Sequence, residues 1–181
     1  MIDYIKNVLE DFSEEITGSS PTPHADHLFK IRDEDNAEYL SEEDAQQIHR
    51  TTSQLYRKRK DIQAAVAFLA TRVRHPYKDD WGKLKRVLKY LKDTLYFKLR
   101  ISIDNLSSSQ CNIDASHGVH WDCKGQTGAG MTLGQGAMVS LSYKQKVNTR
   151  RSTESELVWE LTTQCFLCSD PYTSSKSRGM I

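Results

Sequence analysis

Cys111-Asn112-Ile113-Asp114-Ala115-Ser116 reads as a strand that delivers the carboxylate of Asp114 near its end, and Lys146–Val158 (KVNTRRSTESELV) reads as a loop running into a helix that carries Glu154 and Glu156. Two residues apart on a helix, Glu154 and Glu156 point to different faces, so only one of them can join Asp114. A carboxylate pair of this kind supplies half of the ligand set with which two hard metal ions are held for phosphodiester hydrolysis. Beyond Val158 no further acidic strand is recognisable.

Around this pair the apolar period is two. Phe97–Ile101 alternates, and Thr127–Leu133 and Ala137–Tyr143 join Cys111–Asp114 as strand candidates separated by glycine-rich turns. Upstream the period is helical. Ile2, Ile5, Leu9 and Phe12 form a short amphipathic segment that stops near Gly18, and Ser19-Ser20-Pro21-Thr22-Pro23 reads as a linker because each proline removes a donor and restrains its predecessor. Ser41-Glu42-Glu43-Asp44 has the form of a helix start, a capping serine followed by acidic residues in the first turn, and the helix is expected to run through Ile48 and Leu55. Asp61–Ala70 is apolar nearly all round and predicts a buried helix ended by His75-Pro76. A second helix is expected from Asp79 to Thr94, with Trp81, Leu84, Val87, Leu88, Leu91 and Leu95 on one face and Lys83, Lys85, Arg86, Lys89 and Lys92 mostly on the other.

The net charge of +1 over 181 residues conceals a strong segregation. Residues 1–49 hold 3 Lys/Arg against 13 Asp/Glu, residues 50–100 hold 15 against 4, and residues 101–181 hold 7 against 7. The basic middle either binds nucleic acid or is neutralised by its acidic neighbour. No apolar run reaches the length of a membrane span and no signal-peptide pattern opens the chain, so an intracellular protein, cytoplasmic or nuclear and without a membrane partner, is expected. Four irregularly spaced cysteines are expected to be thiols.

Four stretches together carry a resemblance: Asp61–Arg72 (DIQAAVAFLATR), Trp81–Thr94 (WGKLKRVLKYLKDT), Ile113–Ser116 (IDAS) and Lys144–Val158 (KQKVNTRRSTESELV). In this order the chain resembles the Pol polyprotein of copia-type retrotransposons, from the region after the reverse-transcriptase palm into the ribonuclease H domain. The likeness extends over about residues 1–158. It implies an α+β chain in which a helical hairpin is followed by an incomplete ribonuclease H-like sheet of three antiparallel strands and one helix. The organisation it implies is an acidic N-terminal arm and linker over 1–40, a basic helical connection region over 41–100, a partial ribonuclease H-like domain over 101–158, and a divergent tail over 159–181.

The resemblance further implies hydrolysis of RNA in an RNA–DNA hybrid with two Mg²⁺ ions, and it puts Asp114 and Glu156 at the catalytic and metal-binding positions. The family's palm would lie before Met1, and its third and fourth carboxylates have no counterpart in Trp159–Ile181, so the chain is expected to be inactive. Nucleic-acid contacts are expected from Arg57, Lys58, Arg59 and Lys60, from Lys83, Lys85, Arg86 and Lys89, and from Lys144, Lys146, Arg150 and Arg151, which flank the Glu156 helix. A non-catalytic nucleic-acid-binding module that uses the basic helical region is the alternative. Without a later strand beside Asp114, the sheet edge is expected to stay open and to favour self-association.

Cys111, His117, His120 and Cys123 fall in one short stretch, and Cys165 and Cys168 have clip spacing, but Cys111 lies within a strand and no second clip accompanies the pair. Incidental thiols and loop histidines are the expected reading. The Gly125–Gly136 run lacks the Lys-Ser/Thr of a phosphate loop and is read as strand turns.

Overall fold

The computed structural model describes residues 1–31, 38–56, 58–104 and 109–147. Among them are four helices, α1 (Ile2–Glu10), α2 (Glu42–Leu55), α3 (Gln63–Arg72) and α4 (Lys78–Asp93), followed by three strands, β1 (Gln110–Ser116), β2 (Gln126–Thr132) and β3 (Val139–Lys144). The chain is therefore α+β, with an open antiparallel sheet in the order β1-β2-β3.

Local chemistry sets the helix ends. The Ser41 hydroxyl accepts the Asp44 N–H at 3.1 Å, and three acidic residues fill the first turn of α2 beside the positive end of its dipole. At the start of α4 the Asp80 carboxylate accepts the Tyr77 N–H at 3.0 Å and Arg72 Nε at 3.3 Å, which joins the end of α3 to the start of α4. Arg59 closes the other end of this pair of helices by donating to the Thr94 carbonyl at 2.9 Å and by pairing with Asp61, whose carboxylate also accepts the Tyr90 hydroxyl at 2.8 Å.

One apolar cluster holds the helices together. Phe68, Leu69, Leu84, Val87, Leu88 and Leu91 from the α3–α4 hairpin are fully buried, and Ile48 and Leu55 reach them from α2. Each such side chain contributes roughly 1.5–3 kcal/mol by leaving water. The same cluster takes in Ile5, Val8, Phe12, Ile16 and Leu28, so the acidic N-terminal stretch is seated on the hairpin. Phe12 stacks on Trp81 at 4.9 Å between ring centroids, and Gly18, at φ +79°, makes the turn that carries the chain out of the first segment.

The sheet attaches through β3, which lies along α3. The Lys60 ammonium donates to the carbonyls of Ala137 and Met138 just before β3. His120 sits beside Phe29 and Phe68, with centroids at 5.3 and 6.1 Å, and its Nε2 shares a 2.8 Å hydrogen bond with Gln126 Oε1. Gln126 in turn donates to Ser142 Oγ at 2.8 Å.

Phe97–Ile101 is not a strand. Its apolar side chains Phe97, Leu99 and Ile101 are exposed, as are the flanking Tyr96 and Ile103. Alternation alone does not form a strand without a partner for its backbone. Pairing begins only at Ser102 and Asp104, whose N–H groups donate to Gln135 and Leu133 at 3.0 Å each. Close approach here depends on Gly136, where a Cβ would fall 2.2 Å from the Arg100 carbonyl oxygen. The expected Glu156 helix, Arg150 and Arg151, the divergent tail and Arg57 lie outside the described residues.

Candidate functional site

Asp114 projects from β1 on the same face as Asn112 and Ser116, and its side chain is exposed. Opposite it stand Gly128 and then Ser142. A Cβ at Gly128 would meet nothing within 4 Å, so this face of the sheet is open beside Asp114. β1 pairs with β2 on one side, and among the described residues no strand pairs with its other side.

Among the described residues no three side chains of the His, Cys, Asp and Glu classes converge as a metal site would require. A two-metal centre draws on a cluster of carboxylates. The described residues supply Asp114 to such a centre and do not by themselves fit Mg²⁺; Glu156, its expected partner, lies outside them. Of the Cys/His set, Cys111 and Cys123 are exposed thiols, whereas His120 is buried on Gln126.

The expected nucleic-acid contacts divide by what each cation already holds. Arg59 is engaged with Asp61 and Thr94, and Lys60 with two carbonyls. Lys58 lies over the Tyr4 ring at 4.6 Å. Lys144 pairs with Asp122 at 2.9 Å and sits over Trp121, while Lys146 is exposed. These groups are spread over several surfaces.

Lys83, Lys85, Arg86 and Lys89 are gathered in one place. With Lys30 and Lys78 they line a groove of about 860 Å³ between α4 and the segment from Ser19 to Ile31. Among the described residues the lining sets one carboxylate, Asp79, against these six cations, and Lys78 pairs with Glu38 outside it. The groove exists because the N-terminal segment is held off the helix by specific contacts. Ser20 N–H donates to Asp93 at 3.0 Å, Arg86 donates to Thr22 Oγ1 at 2.9 Å, and Lys83 donates to the Lys30 carbonyl at 2.7 Å. Glu14 anchors the same segment by accepting from Trp81 Nε1 at 2.9 Å and pairing with Lys85 at 2.6 Å. Gly82 lines the groove without a side chain, and a Cβ there would meet nothing within 4 Å.

Electrostatically the groove is uneven. Burial pushes the Lys83 ammonium below its ordinary value, while Asp80 and Asp79 oppose the shift. Lys83 also lies over the Phe68 ring at 4.5 Å, so its charge is largely committed inward. The hydrogen bonds from Lys85 and then Trp81 hold the Glu14 carboxyl below its usual range, which commits Lys85 as well. Lys30 and Lys89 make no ion pair with the described residues. Arg86 Nε is buried and finds no protein acceptor among them. An unpaired buried N–H costs stability unless something accepts from it.

The α4 cations were legible in the sequence; Lys30, Lys78, His24 and His27 were missed. They lie on or beside a distant segment, and only the acidic-then-basic segregation hinted that the two would meet. Comparisons with protein-family models, with curated proteins and with solved structures find no match.

Proposed function

We propose that this chain is a nucleic-acid-binding module that holds the phosphate backbone in the groove between α4 and Ser19–Ile31, and that it is a Pol-derived fragment without hydrolytic activity of its own. The observation that carries the reading is the groove's lining, six Lys/Arg to one carboxylate among the described residues, with Lys30 and Lys89 outside any ion pair there and Arg86 Nε without an acceptor. Neutralising phosphates releases condensed counterions, so the affinity should fall steeply with salt. The test is titration of fluorescent oligonucleotides at several salt concentrations with the parent and with the Arg86→Gln/Lys89→Gln double variant. A loss of affinity of about tenfold or more in the variant, with a shallower salt dependence, is expected. Unchanged binding would return these charges to a structural role.

The ribonuclease H ancestry is a second reading, favoured by a three-strand antiparallel unit that carries Asp114 on its first strand. Its test is incubation with an RNA–DNA hybrid and Mg²⁺ or Mn²⁺ beside Asp114→Asn. The parent is expected to leave the hybrid intact; cleavage that vanishes in the variant would overturn the assignment as inactive.

A further inference from the structure

The two walls of the groove are chemically different, and the difference selects a form of nucleic acid. One wall is α4, where Lys78, Gly82, Arg86 and Lys89 recur near helical spacing. From Lys78 to Lys89 a helix advances about 16 Å, the length of some three to five nucleotides of one strand. The facing wall carries two exposed imidazoles, His24 and His27, beside Pro23 and the apolar Leu28 and Ile31, with Lys30 as its cation.

We infer that the groove takes a single strand, with its phosphates along α4 and its bases turned toward His24 and His27. This rests on the groove being the nucleic-acid site. A single strand has one anionic edge and one aromatic edge, and the two walls match them. In a duplex the bases face one another and both outer edges are phosphate, so the imidazole wall finds no base to stack on. Among the described residues the lining holds no Phe, Tyr or Trp, so stacking falls to the imidazoles, and the groove should bind with little regard to base identity. With Lys30, Arg86 and Lys89 as the cations outside any ion pair with the described residues, about three counterions are displaced, and log K should fall with log salt at a slope of about −2 for a single strand.

Three ligands of equal length decide the matter: single-stranded DNA, single-stranded RNA, and the RNA–DNA hybrid formed from them. They are titrated against the full chain, His24→Ala/His27→Ala, and Arg86→Gln/Lys89→Gln. Expected are tenfold or greater preference for either single strand over the hybrid, similar affinity for oligo-dT and oligo-dA, and a slope near −2. The histidine variant should lose about five- to tenfold in affinity with its slope unchanged, whereas the Arg/Lys variant should lose slope. Equal or tighter binding of the hybrid, or no effect of the histidine substitutions, overturns the single-strand assignment while leaving the groove as a binding site. Absence of salt-sensitive binding to all three ligands overturns the groove reading and this one with it. Binding by RNA alone would assign the ribose hydroxyl a contact and reject the common backbone mode.

Discussion

Glu14 accepts the indole N–H of Trp81 at 2.9 Å across 67 positions of sequence, and the same carboxylate pairs with Lys85 one turn further along α4. This contact and the Phe12–Trp81 stack fix the N-terminal segment to the hairpin. Removing the carboxylate by Glu14→Ala is expected to cost about 1 kcal/mol, because the site is half exposed and the ion pair is screened. Glu14→Gln, whose amide oxygen still accepts from Trp81, should cost less. Urea unfolding followed by tryptophan fluorescence measures both.

Acid should weaken the fold in two stages. His120 titrates below its ordinary value of 6.5 because burial disfavours the imidazolium, with the Gln126 hydrogen bond opposing. The unfolded chain therefore takes up this proton first, and stability declines as pH falls below that value. Glu14 is lowered chiefly by the Lys85 hydrogen bond, whereas at Asp61 and Asp122 burial raises the carboxyl but the bonds from Arg59 and Tyr90, and from Lys144, outweigh it. Their contribution is complete above their ordinary values of 4.5 and 3.8 and is lost as pH falls through the lowered folded values. Melting temperatures from about pH 8 to about pH 3 should show both declines, and His120→Gln should remove the first alone.

Asp80 is the most consequential charged side chain of the hairpin. It is 1% exposed and is held by Arg72 and the Tyr77 N–H. Asp80→Ala leaves the Arg72 guanidinium and a backbone donor without their acceptor, and a loss of about 3–5 kcal/mol in chemical denaturation is expected. Asp80→Asn, which retains an acceptor for Tyr77, should lose distinctly less.

The outer side of β1 bears on self-association. An unpaired strand edge is a template for another chain, and lysine on such an edge opposes pairing. Light scattering of the parent is expected to show association that rises with concentration, and Asn112→Lys is expected to reduce it. A parent that stays monomeric at all concentrations would refute the prediction.

Helices were easiest to read because their signals are local. Ser41 with three acidic residues announced α2, and the spacing of Leu84, Val87, Leu88 and Leu91 announced the buried face of α4. β1 followed from a short alternating run, and β2 and β3 from runs set among glycine-rich turns. Phe97–Ile101 alternates equally well, yet whether such a run is a strand is decided by a partner elsewhere in the chain. The groove was hidden for the same reason. Lys30 and Lys83 are separated by 53 positions, and their proximity depends on the buried Phe12, Ile16 and Leu28. Asp114 could be placed on its strand from the sequence itself, whereas the open edge beside it was expected only through the resemblance, because sheet order is not a local signal.

Gly82 sets two selective pressures against each other. A glycine inside a helix costs about 0.8–1 kcal/mol relative to alanine, and nothing lies within 4 Å of where a methyl group would go. Screening variants for thermal stability alone would therefore favour Gly82→Ala, the substitution that adds bulk to the wall carrying the cations. The most easily improved position in α4 is thus one where a sturdier helix makes a shallower binding surface, and a stabilised version of this protein should be checked for ligand affinity before any other property.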